Sequence, residues 1–123
     1  MRSKNLGLDY LLICAIALSS CIKTGSVQNN DECIAGVNAQ AVTYSNSIQP
    51  LFAAQCTSCH GSTVSNGASQ SLVTLAQVTS QLSTIKDYIN RPLSDSRHMP
   101  PGFVLDGCDK FRIEKWESDG LLP

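Results

Sequence analysis

Apolar positions along this chain recur at helical spacing, and strand-like alternation is scarce. Ile48, Leu51, Phe52 and Cys56 stand at i, i+3, i+4 and i+8, on one face of a helix. Asn46 or Ser47 can cap it, and Pro50 fits its first turn, where a missing N–H costs nothing. Gly61 ends it. A second stripe runs through Val78, Leu82, Ile85 and Ile89, spaced four, three and four apart, and Asn90 with Pro92 stops it. This reads as a core stripe rather than a partner-binding face. A last helix is predicted from its ends, with Asp106 as cap, Asp109 in the first turn and Gly120 just past the end. Leu105, Cys108, Ile113 and Trp116 fall on one side of it, with Arg112 in the same sector. The pattern predicts an all-α fold.

The connecting segments differ from these stripes. Residues 61–71 form a polar loop without period, and Arg91 to Leu105 is irregular, with prolines at 92, 100 and 101. From Ile22 to Gln40 the chain is polar and rich in Asn, Gln, Ser and Gly, which reads as a tether. Further upstream, Arg2 and Lys4 precede an apolar stretch from Leu11 to Leu18. That stretch is shorter than the roughly 20 residues needed to span a bilayer, and Asp9 lies at its edge. It ends Leu18-Ser19-Ser20-Cys21, which resembles a bacterial lipobox, where cleavage leaves a lipidated cysteine first. The alternative is an ordinary signal peptide with Cys21 incidental. The expected organisation is a signal peptide over 1–20, a lipid-anchored tether over 21–41 and a folded domain over 42–123. This implies the bacterial cell envelope, facing the periplasm or on the outer membrane.

Composition adds less. The 123 residues suit one domain, nine basic residues nearly balance ten acidic ones, and no basic run suggests nucleic acid. One Trp, three Tyr and three Phe make a thin side-chain core. A buried apolar cofactor would thicken it. No acid–base pair or nucleophile constellation suggests an enzyme.

The candidate chemistry is concentrated in Cys56-Thr57-Ser58-Cys59-His60. C-x-x-C-H is the attachment sequence of a c-type haem, in which two thiols bond the porphyrin and the histidine supplies a proximal axial nitrogen. A redox dithiol would need a βαβ context, and a zinc site would need a second pair of ligands; neither pattern is present in the sequence. With His60 committed, the distal ligand is Met99, His98, a weak oxygen donor or nothing. Met99 is preferred, because Pro100 and Pro101 stiffen the chain beside it. His98 is expected to face solvent near the haem edge. Arg112 is expected to snorkel to the surface, with a haem propionate as its other option. Cys33 and Cys108 are then the two cysteines left over, and in an oxidising compartment they are expected to form a disulfide.

The stretch from about Val42 to Gly120 resembles the class I cytochrome c domain. The matching pieces are Ile48-Gln-Pro-Leu-Phe52, the attachment motif with Gly61, Met99-Pro100-Pro101, and Leu105 with Ile113-Glu-Lys-Trp116. The resemblance is strongest to small single-haem lipoprotein cytochromes whose last helix opens with a cysteine, as Cys108 does here. The ending Gly120-Leu-Leu-Pro123 departs from the more usual Gly-Ala. The resemblance implies N- and C-terminal helices crossing beside one covalent haem c, held by Cys56, Cys59, His60 and Met99. It implies one-electron transfer between redox protein partners. Two rivals stand beside it: a haem-based ligand-binding or sensor protein with a displaceable distal ligand, and a structural lipoprotein without haem.

Overall fold

The computed structural model describes residues 30–123. The expected signal segment, the lipidation site Cys21 and the first part of the tether lie outside these residues. Among those described are four α-helices, a π-helical turn and no strand, so the chain is helical as expected. The helices are α1 (Asn30–Asn38), α2 (Gln49–Gln55), α3 (Leu75–Asn90) and α4 (Gly107–Ser118), with the π-helical turn at Tyr44–Ile48 running directly into α2.

Local chemistry sets most of these ends. Thr43 begins the π-helical turn with a capping box: its hydroxyl accepts the Asn46 N–H at 3.1 Å, and the Asn46 side chain accepts the Thr43 N–H at 2.9 Å. Asn46 is thus the far half of the box rather than the cap itself. Pro50 sits in the first turn of α2 as expected. Thr74 and Gln77 form a second box at the start of α3. Asp106 caps α4 by accepting the Asp109 N–H at 2.7 Å, and Gly120, at φ +92°, takes the left-handed position after it.

The core lies where α4, the π-helical turn and the inner faces of α2 and α3 meet. Trp116, Phe52, Ile48, Ile113 and Val78 are its largest fully buried side chains. Each apolar side chain of this size contributes about 1.5–3 kcal/mol by leaving water. The expected stripe of α3 is buried at Val78, Leu82 and Ile89, with Ile85 half-buried against the same cluster. Trp116 packs on Tyr44 with ring centroids 6.1 Å apart, and its indole N–H donates to the Leu122 carbonyl at 2.8 Å. The same carbonyl accepts the Tyr44 N–H, also at 2.8 Å.

One segment departs from expectation. The second half of the stretch read as a tether, 21–41, is the helix α1, which packs on α4. At nine residues it is too short to be stable alone, and contact with α4 supplies what length does not. Asp31 and Glu32 in its first turn also suit the positive end of the helix dipole. Cys33 lies in α1 and Cys108 in α4, with Cα atoms 5.9 Å apart and sulfurs at disulfide distance. No helix among the described residues is long and apolar enough to cross a membrane.

Candidate functional site

The end of α2 delivers the cysteine–histidine motif. At that end the chain tightens: Cys56 N–H donates to Phe52 O at 2.8 Å, and the N–H groups of Cys59 and His60 both turn back onto Cys56 O, at 3.1 and 2.9 Å. One turn therefore carries both free thiols and the imidazole, all half-buried. Gly61 follows because the chain folds back on the motif. A Cβ there would lie 2.8 Å from the Thr57 carbonyl oxygen, closer than side-chain carbons pack, so only glycine fits without a shift.

His60 is held on three sides. Besides its N–H, its carbonyl accepts the Leu72 N–H at 2.8 Å, and its ring Nδ1 lies 2.7 Å from the Gln70 carbonyl oxygen. A carbonyl can only accept, so Nδ1 carries the proton and Nε2 presents a bare lone pair. A second partner of this kind fixes both the tautomer and the ring direction of a metal-binding histidine.

The two thiols differ in surroundings. Burial, and then the Asp109 carboxylate, push the Cys56 thiol up to about 11. Cys59 accepts a contact from the Asn66 side-chain amide at 3.4 Å. A redox dithiol depends on a thiolate stabilised near neutral pH, and the surroundings of Cys56 oppose that. Asp109 is itself buried at the start of α4, and burial raises its carboxyl above the ordinary range, followed by the nearby Asp106. Its partner is Arg112, whose Nη1 lies 2.7 Å from Asp109 Oδ1 and whose Nη2 reaches Cys33 Sγ at 3.6 Å. Arg112 thus keeps its side chain 34% exposed, reaching the surface in part as expected, while its tip is held by Asp109.

Met99 sits on the separate loop between α3 and α4, half-buried, with its N–H donated to Tyr88 O at 3.2 Å and a cis peptide to Pro100. His98 departs from expectation: only 3% of its surface is exposed. Its Nδ1 lies 2.7 Å from Arg91 O and its Nε2 3.0 Å from Phe103 O. Both ring nitrogens face backbone carbonyls, which only accept, so the neutral ring donates to one of them and only the doubly protonated ring donates to both; either way the ring is enclosed by backbone in this arrangement. Elimination from sequence treated His98 as a spare ligand, and nothing in residue spacing foretold its two carbonyl partners.

Four large apolar side chains are exposed on these two loops: Val64 beside the motif, and Leu93, Phe103 and Val104 around Met99. Two surface hollows lie away from the motif, one bordered by Leu75, Thr79 and Leu121 and the other by Glu32, Val37 and Arg112. Among the described residues, no three His, Cys, Asp or Glu side chains converge to hold a bare metal ion. The structure thus brings Cys56, Cys59 and His60 together on one turn and Cys33 to Cys108 across two helices. Met99 is tied to the end of α3. No family model, curated protein or solved structure matches the chain.

Proposed function

We propose that the protein is a single-haem c-type cytochrome of the class I kind, carrying one electron between redox protein partners on the outer side of a bacterial membrane. The observation that carries this reading is the hydrogen bond from His60 Nδ1 to Gln70 O. It leaves Nε2 bare on the same turn as two unpaired thiols.

The residues present suit a covalent haem. Cys56 and Cys59 would bond the porphyrin edge, His60 Nε2 would bind iron on one side and the Met99 thioether on the other. The exposed Val64, Leu93, Phe103 and Val104 would gain apolar cover. A haem iron with both axial positions filled changes redox state with little rearrangement. The chain's own contribution is to orient His60 and to carry Met99 on the loop that follows α3. In this reading α2 and α4 are the N- and C-terminal helices of a cytochrome c fold. Lipidation at Cys21 would hold the domain at the membrane, with α1 as its folded end.

Absorption spectroscopy of the full chain, expressed with the haem-attachment machinery, tests this. A six-coordinate spectrum insensitive to diatomic gases supports electron transfer. A five-coordinate, gas-binding spectrum assigns the protein to sensing, and absence of haem leaves a structural lipoprotein.

A further inference from the structure

The loop from Arg91 to Leu105 has few anchors of its own. Pro92, Leu93, Ser94, Ser96, Arg97, Pro101, Gly102, Phe103 and Val104 are exposed, and within the loop only His98, Pro100 and Leu105 are buried. The buried imidazole spans the loop. On one side it meets the carbonyl of Arg91, the residue that caps α3, and on the other the carbonyl of Phe103, beyond the two prolines. Its backbone is tied as well, since its N–H donates to Asp95 O at 2.9 Å. Met99 lies between the two bridged carbonyls. Asp95 ties the first half of the loop, through Arg91 at 2.8 Å and the Arg97 N–H at 2.8 Å, and the Met99 N–H donates to Tyr88 O; the His98 ring is the contact that reaches past Met99 to Phe103.

We infer that His98 is a positioning residue: buried between the Arg91 and Phe103 carbonyls, donating to one of them as the neutral ring and to both when doubly protonated, it holds closed the loop that presents Met99, and so keeps the thioether in place as distal ligand. This rests on the reading of Met99 given above. A histidine in this role never touches the iron. It acts on how often the sulfur leaves, and not on what the ligand is.

The test uses the haem-loaded full chain and three variants: His98→Ala, His98→Gln, which retains a donor for one carbonyl, and Leu82→Ala, a core truncation in α3. Carbon monoxide binding to the ferrous protein reads how often the distal position opens. The near-infrared sulfur-to-iron band of the ferric protein reads whether the thioether is bound. Losing one net hydrogen bond corresponds to roughly tenfold in an opening equilibrium. His98→Ala is therefore expected to bind carbon monoxide about tenfold faster than wild type. On heating, its sulfur band should fade below the temperature at which helical circular dichroism is lost. His98→Gln should fall between, and Leu82→Ala should lose band and helix together. If His98→Ala fails to fold, His98→Gln decides on the same criteria. Rates within twofold of wild type, or band and helix lost together in the His98 variants, overturn the inference alone. A wild type without the sulfur band overturns the Met99 reading, and this inference with it.

Discussion

The carboxylate of Asp119, just past the end of α4, accepts the backbone N–H of Val42 at 3.0 Å, across 77 positions of sequence. The Lys115 ammonium, hydrogen-bonded to the same side chain, and then the Val42 N–H hold the Asp119 carboxyl below the ordinary carboxylate range. A depressed folded pKa contributes stability that is present above the unfolded value of about 3.9 and is lost as pH falls through the folded one. Asp95, lowered by the Arg97 N–H and by Arg91, has the same sign. Asp109, raised by burial, has the opposite sign and is relieved by acid. Thermal midpoints followed by circular dichroism should therefore fall as pH drops below about 4. Asp119→Asn should lower the midpoint at pH 7 and flatten part of that decline. An unchanged acid slope in the variant would assign it to other groups.

Joining Cys33 to Cys108 encloses a loop 75 positions long. The chain-entropy estimate for such a loop is about 4 kcal/mol, and covalent haem attachment within the loop would reduce it. Non-reduced protein should show neither thiol available to an alkylating reagent under denaturing conditions. Cys33→Ser should lower the denaturant midpoint without removing helix α4. Labelling of both cysteines without reductant refutes the pairing.

Trp116 is fully buried, stacks near Tyr44 and donates to the Leu122 carbonyl. Trp116→Ala should cost about 3–5 kcal/mol. Trp116→Phe keeps most of the apolar contact but loses the indole donor, so a net cost of about 1 kcal/mol or slightly more is expected. Denaturant unfolding of the three proteins measures both differences.

Met99→Ala should open a coordination position and lower the reduction potential, because a thioether favours ferrous iron. The ferrous variant is expected to bind carbon monoxide while haem stays attached. Truncating a methionine in any core costs about 2–5 kcal/mol, so the change at iron is the diagnostic and the loss of stability is not. An unchanged spectrum and potential would remove Met99 from the iron.

Cys21 lies outside the described residues, and its prediction rests on the lipobox alone. One acyl chain binds membranes marginally and stable attachment takes at least two signals. A processed lipoprotein is therefore expected to stay with membranes in high salt. Cys21→Ser should give a soluble haem protein or an uncleaved precursor. Wild-type protein that fractionates as soluble without detergent would count against the anchor.

What was legible in the sequence follows from the range of the forces involved. Asp106 and Gly120 announce the two ends of α4 through local hydrogen bonding and backbone conformation, and both stand where expected. The stripe Val78, Leu82, Ile89 announces α3 because burial follows its period. Helix α1 was hidden because it is only nine residues long and gains its stability from α4, far along the chain. The burial of His98 was hidden for a related reason. Its ring is enclosed between the carbonyls of Arg91 and Phe103, and backbone groups leave no trace in side-chain patterns. The pairing of Arg112 with the buried Asp109 was hidden too, because an apolar-sector argument does not weigh it.

The Cys33–Cys108 connection also decides where mechanical load goes. With that bond formed, a pull on the chain upstream of Cys33 enters the domain and passes through sulfur directly into the start of α4. The segment from Val42 through the π-helical turn to Cys56 lies in parallel with that route and carries little of the tension. Were the bond reduced, the same pull would run along the backbone from α1 into Val42 and Tyr44. It would be resisted there by the N–H bonds to Asp119 and Leu122 before reaching the turn that holds His60. The oxidised link would thus keep the histidine turn unloaded under any pull on the chain upstream of Cys33.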